Sequence, residues 1–289
     1  MDHLSFQKRY SKHTVTAYRN DLYAFADFCE TTFEISDLSN LNRRHISSFV
    51  AQLSEDGMLP RSINRKISAI QSLFEYAIRH QGLKKNPARN IVRPKTPEKL
   101  PSVLRSESID TLFNRIEFAD DFEGMRDRLM LTLFYACGLR REELINLNID
   151  SIDFHDQSMK VLGKRNKERI IPVSKSMLNQ IREYFELRNS VASKDANLFI
   201  TTKGKKLYPS LVYKTVKNYL STVTTMDKKS PHVLRHTFAT HLLNEGANLQ
   251  SIKELLGHSS LASTQVYTHT SLDKLKDVYR KSHPRNQKK

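Results

Sequence analysis

At 289 residues the chain exceeds the roughly 100 to 200 residues of a typical domain, so two domains are expected. Lys and Arg number 47 against 31 Asp and Glu, and a formal charge of +16 is the electrostatic footprint of a polyanion binder, with nucleic acid the first expected partner. The longest nearly apolar run, Leu129 to Leu139, is far short of the ~20 residues that cross a bilayer; the polar N-terminus has no signal-peptide core, and no membrane anchor is expected.

From Ser11 to Glu30, Val15, Tyr18, Leu22, Phe25 and Phe28 recur at three- and four-residue steps, an amphipathic helix behind a Ser cap. Ile46, Phe49, Val50 and Leu53 predict a second helix. Ile63, Ile67, Ile70, Phe74 and Ala77 predict a third, which carries Arg61, Arg65 and Lys66 away from its apolar stripe as candidate DNA contacts. Residues 1–85 therefore read as a helical bundle with a basic side. Prolines 87, 94, 97 and 101, set among Lys and Arg, exclude a helix or sheet interior, and 86–101 reads as an interdomain linker. Both sides of this segment are net positive, as gripping DNA from two sides requires.

Residues 102–289 form the second domain. Its pattern is mostly helical, broken by β-like stretches at Ser151–Phe154, Met159–Leu162 and Arg169–Val173, the last two joined by a turn through Gly163 and Lys164 to Lys167. Helical patterns resume near Lys175–Leu187, Pro209–Val223, Val233–Glu245, Leu249–Leu256 and Ser271–Tyr279. Cys29 and Cys137 lie far apart in apolar, helix-like stretches. They fit neither a disulfide framework nor a metal knuckle and read as reduced thiols in a cytosolic core.

Cleaving a phosphodiester without hydrolysis needs a nucleophile that stays on the phosphate, cations for the transition state and an acid for the departing oxygen. The second domain supplies candidates for each. His232 and Arg235 stand three apart at a helix start, where they project from one face towards one anion. Arg140 and Glu143 stand three apart just after the helix-ending Gly138. Leu256-Gly257-His258 ends another helix, and Tyr267 follows. His232 and His236 are four apart, as zinc ligands on a helix would be, but Val233 occupies the place of the acid in His-Glu-x-x-His, so no metal is expected.

These residues resemble the tyrosine recombinase (phage integrase) family, and most closely its bacterial Xer members, over nearly the whole chain. The catalytic arginine after Gly-Leu matches Arg140, its acidic companion Glu143, the hairpin lysine Lys164, the His-x-x-Arg pair His232 and Arg235, the histidine after Leu-Gly His258, and the nucleophile Tyr267. One departure is Arg165, where Xer hairpins commonly have glycine; another is a short N-terminus without an arm-binding domain.

The resemblance implies a mainly α fold. A small SAM-like, core-DNA-binding helical bundle and a mainly helical catalytic domain with a small antiparallel β-sheet would close as a C-shaped clamp on duplex DNA. It implies site-specific cutting and rejoining through a 3′-phosphotyrosyl intermediate without cofactor or metal, serving chromosome dimer resolution at cell division or a mobile element. A homo- or hetero-tetramer on two DNA sites is implied, with the C-terminal helix of each protomer docking on a neighbour, in a bacterial cytoplasm at the nucleoid.

Taken alone, Tyr267 reads as a packed tyrosine, Arg140 with Arg141 and Glu142 as a solvated ion-paired face, His258 as a helix C-cap donor, and Lys164 and Lys167 as turn charges. Their joint order reverses those readings. Two rivals are a type IB topoisomerase-like relaxing enzyme and a catalytically silent DNA-binding regulator. The Xer-like motifs argue against the first, and the complete set of catalytic residue types against the second.

Overall fold

The computed structural model describes residues 10, 12–97, 102–163 and 167–257, which fall into two compact units, Met1–Lys99 and Leu100–Lys289. Lys164, His258, Tyr267 and the helix expected at Ser271–Tyr279 lie outside the described residues.

The first unit is built on three helices, α1 (Lys12–Phe33), α2 (Arg43–Glu55) and α3 (Pro60–His80). Asn42 starts α2 by accepting the backbone N–H of Arg44 at 2.8 Å, and Pro60 starts α3 at a position whose missing N–H costs nothing. The three expected apolar stripes meet in one core, with Phe25, Ile46, Phe49, Ile67, Ile70 and Phe74 buried together. The segment read as a linker has no helix or strand over 86–97, but it is packed onto α3. Ala88 and Ile91 enter the core, Gln71 donates to the Ala88 carbonyl at 2.8 Å, and Arg93 bonds the Asn64 carbonyl, Ser68 and Gln71. Apolar residues between the prolines give this stretch something to bury.

In the second unit α5 (Phe122–Cys137) is buried nearly all round and forms the axis. It is the apolar run of the sequence, and it packs against α9 (Pro231–Asn244) and α7 (Lys175–Asn189); α4 (Ser106–Asn114) packs on α8 (Pro209–Val223). Between α5 and the sheet lies the short α6 (Arg141–Ile145), and α10 (Leu249–Leu256) follows α9. The strands β1 (Ile152–Asp153), β2 (Ser158–Leu162) and β3 (Glu168–Pro172) form an antiparallel sheet in that order, with Leu162 opposite Glu168 and Val161 opposite Arg169. Strand alternation buries Met159, Val161 and Ile171 on one face, and Arg169 with them. Cys29 and Cys137 are buried in the two cores, and burial pushes their thiols up to about 11 and about 12, which keeps them unreactive. Among the described residues no helix is long and apolar enough to cross a membrane.

Candidate active site

Arg140, Glu143 and Arg235 come together where the ends of α5, α9 and α10 meet α6. Gly138 caps α5 with a left-handed φ of 58°, and a Cβ there would stand 2.6 Å from the Phe238 ring and 2.8 Å from Leu256. Only glycine lets the chain turn this close to α9 and α10. The turn delivers Arg140 to the start of α6. Its backbone N–H donates to Glu143 Oε2 at 2.8 Å and its guanidinium to Oε1 at 2.6 Å. Arg141 and Glu142 pair with each other at 2.9 Å on the outside, so the solvated ion pair of this run is theirs and not that of Arg140.

Glu143 has a side chain only 3% exposed and receives a third basic residue that sequence reasoning missed. Arg169, from β3, forks onto both carboxylate oxygens at 2.8 Å each, and Arg235 Nη1 stands 3.9 Å from Oε2. Burial opposes ionisation of Glu143, but the hydrogen bonds and charge of Arg169, with those of Arg140, outweigh it and hold the carboxyl at about 2. Three guanidiniums thus surround one carboxylate, leaving surplus positive charge. Burial, and then the neighbouring Arg140, press Arg235 down to about 9, against the pull of the Glu143 carboxylate that it shares with two other guanidiniums. It stays charged at neutral pH.

The same three arginines bind the final turn of α10, each through a different carbonyl. Arg169 Nε donates to Leu255 O at 2.8 Å, Arg235 Nη2 to Leu256 O at 2.7 Å, and Arg140 Nη2 to Gly257 O at 3.1 Å. These are carbonyls that a helix end leaves unpaired, where cations are favoured. Arg235 also donates to the Gly138 carbonyl, tying α5 to α9. Of the three, Arg140 is the open one, with 29% of its side chain exposed against 5% for Arg169 and 8% for Arg235.

His232 lies one turn before Arg235 on α9, at an exposed rim. Packing around its ring, and then the positive charges of His236, Arg235, Arg141 and Arg140, hold its pKa below the ordinary imidazole value, so it is neutral and able to accept a proton at pH 7. The third histidine of the motif, His241, is structural: its ring lies 3.1 Å from the Tyr135 hydroxyl and 3.0 Å from the Leu104 carbonyl. Gly163 and Gly257 also border the cluster. A Cβ on Gly163 would stand 3.6 Å from both Arg169 Nη1 and Glu143 Oε1, and one on Gly257 would stand 3.2 Å from Arg169. Lys164 and His258 each come next in the chain.

On the first unit, Arg61, Arg65 and Arg93 line a shallow depression beside Tyr18. Lys66 is a correction. It is 8% exposed, its ammonium is 3.0 Å from the buried Asp21 carboxylate, and it does not stand on the basic face with Arg61. It sits between the apolar Ile63 and Ile67 steps of α3, and an internal carboxylate makes burial of its charge tolerable. Arg65 shares Asp21 through bonds of 2.8 and 2.9 Å while half its side chain stays exposed.

A helical two-unit chain whose second unit gathers arginines round a buried glutamate, beside a three-stranded sheet, has counterparts among known proteins. Residues 102–273 match the model of the Phage integrase family, and 1–81 match Phage integrase, N-terminal SAM-like domain. The chain is 35% identical to Tyrosine recombinase XerC of Chlorobaculum parvum, covering 98% of this chain and 93% of that one. It is 36% identical to the XerC of Pseudomonas aeruginosa, covering 100% and 94%. In fold it is similar to the XerH site-specific recombinase bound to palindromic difH substrate in a post-cleavage complex (TM-score 0.74, 23% identity, 92% of this chain and 79% of that one). It is also similar to the Tn1549 transposon integrase in complex with transposon right end DNA (TM-score 0.71, 17% identity, 95% and 96%). The chain belongs to the phage integrase family, as a tyrosine-type site-specific recombinase close to XerC.

Proposed function

We propose that this chain cuts and rejoins duplex DNA at a specific site, with Tyr267 as nucleophile. The observation that carries the reading is the Arg140–Glu143–Arg235 cluster: permanently charged donors with surplus positive charge, one of them open to solvent. Arg140 and Arg235 hold the non-bridging oxygens of the scissile phosphate, a task that suits the planar, always-charged guanidinium better than an ammonium. The Tyr267 oxygen attacks phosphorus, the P–O5′ bond breaks, and a 3′-phosphotyrosyl ester and a 5′-hydroxyl result. Lys164 protonates the departing 5′-oxygen, His232 takes the tyrosine proton and returns it in rejoining, and His258 hydrogen-bonds the phosphate. Glu143 orients the arginines. The 5′-hydroxyl of a partner duplex then attacks the phosphotyrosine, so bond energy is conserved and neither ATP nor a metal is required.

Residues 1–85, through Arg61 and Arg65, contact duplex DNA, as does the catalytic domain, 102–289; Lys66 supports Asp21. The DNA-bound state of XerH and of the Tn1549 integrase supports duplex DNA as the substrate, and the identity to XerC supports Xer-like site-specific recombination, serving either chromosome dimer resolution or a mobile element. Four protomers, of one or two kinds, pair two sites, with the apolar face of 271–279 docking on a neighbour, in the bacterial cytoplasm at the nucleoid. A duplex carrying a nick beside the cleavage point, which loses its 5′-end after attack, tests the reading: a covalent protein–DNA adduct supports it, and its absence with the cognate site contradicts it.

A further inference from the structure

Arg169 is outside the set of residues to which the functional reading gives a role, yet its side chain donates three of the cluster's hydrogen bonds, more than that of Arg140 or Arg235. It sits at an inward position of β3, opposite Val161, where strand alternation calls for an apolar residue. Burying a guanidinium there is costly unless every donor is paired. Its pairing is divided between two functional elements. Two N–H groups fork onto Glu143, and Nε reaches the Leu255 carbonyl at the end of α10. Its side chain also borders Gly163 and Gly257, the residues immediately before Lys164 and His258.

We infer that Arg169 is a positioning residue: it fixes Glu143, and through it Arg140, in register with the hairpin that carries Lys164 and the helix end that precedes His258. The inference rests on the proposed phosphotransfer site and adds a residue to it. Arg169 does not contact the phosphate, because its side chain is 5% exposed and each of its three guanidinium nitrogens already donates to a protein oxygen. Its effect is geometric. A fork on two carboxylate oxygens sets the plane of the Glu143 carboxylate. That plane in turn sets where Arg140 points, since Arg140 bonds the same Oε1. Without the fork, Glu143 is left to Arg140 and to Arg235 Nη1, already 3.9 Å away, and draws both guanidiniums inward, away from an incoming phosphate. An ammonium cannot replace it, since one point charge cannot hold both carboxylate oxygens in plane and also reach the Leu255 carbonyl.

The test uses the full-length protein, Arg169→Lys and Arg169→Met, and the nicked duplex, with single-turnover cleavage measured across DNA concentrations at a temperature where circular dichroism shows each variant folded. Arg169→Lys is expected to keep half-saturating DNA concentration within about threefold of wild type, while the saturated cleavage rate falls about 10- to 100-fold, the range seen when an outer partner that orients a functional group is lost. Arg169→Met is expected to be at least as slow; if it does not fold, the lysine variant decides alone. Wild-type cleavage by folded Arg169→Lys overturns the inference, because charge without the fork would then suffice. A defect confined to DNA affinity overturns it as well. Failure of the wild-type protein to form any adduct is a different result, and it removes the functional reading itself.

Discussion

Replacing Glu143 with Gln keeps the shape of the side chain and removes the charge on which three guanidiniums converge, so its consequences can be worked from the structure. The carboxyl has an ordinary value near 4.5 and is held at about 2 in the folded protein, a difference corresponding to about 3 kcal/mol of stability. Because the folded value is the depressed one, this contribution is fully present above pH 4.5 and is lost as pH falls through 4.5 towards 2. The side chain is buried, so solvent screens little of it. At neutral pH Glu143→Gln should therefore cost about 3 to 5 kcal/mol, the penalty of leaving a buried cation unpaired. The gap between variant and wild type should narrow on acidification, by about 1 kcal/mol already at pH 3.5. Urea unfolding of both proteins between pH 7 and 3.5, followed by circular dichroism, measures it. A gap that stays constant, or that widens as pH falls, would refute the argument that Glu143 is the ionised centre of the cluster.

Two further outcomes follow from the same site and a third from the charge of the whole chain. Arg140→Ala and Arg235→Ala should each slow formation of the covalent adduct by at least about 10² to 10³, the usual loss for one transition-state stabiliser, and near-normal rates in a single-turnover assay would mean the phosphate is held elsewhere. Lys164→Ala should be slow on ordinary DNA and largely restored on a duplex with sulfur at the 5′-bridging position, which departs without a proton; Arg140→Ala should stay defective on both. Restoration of Lys167→Ala instead would move the acid along the hairpin, and restoration of neither would return Lys164 to a simple phosphate contact. Affinity for non-cognate duplex should fall steeply with salt, as 47 basic residues and a net charge of +16 imply displacement of counterions from the DNA; a flat response in a filter-binding titration would point to a protein partner.

Amphipathic helices were the most legible part of the sequence. The stripes of α1, α2 and α3 and the patterns at α7 to α10 mark real elements, because one apolar face against one polar face is the signature that periodicity detects. The two glycine caps, Gly138 and Gly257, were legible for a local reason: each has positive φ, which few other residues tolerate. The axis α5 was visible only as an apolar run, since a helix buried on all sides has no polar face to betray its period. The five-residue α6 gave too few turns to read, while α4 was missed although its buried Ile109, Leu112 and Phe113 have helical spacing. Lys66 was misplaced because helical spacing cannot reveal that Asp21, 45 residues earlier in the chain, waits inside to accept its charge. The packing of 86–97 onto α3 escaped for a related reason, as the prolines forbid regular structure without forbidding burial. Arg169 had one signal that could have exposed it: in a strand with Ile171 inward, its alternate position is inward too, and a charged residue there needs a partner.

Covalent capture by the Tyr267→Phe variant addresses the central claim most directly. Removing the hydroxyl deletes the nucleophile and leaves the ring, so the variant should bind the cognate duplex as wild type does, in a gel-shift assay, and form no adduct on a denaturing gel. Wild-type protein run beside it should form the adduct, with a phosphotyrosyl peptide containing residue 267 identified by mass spectrometry. An adduct from the variant, or a wild-type adduct mapped to another residue, would contradict the account.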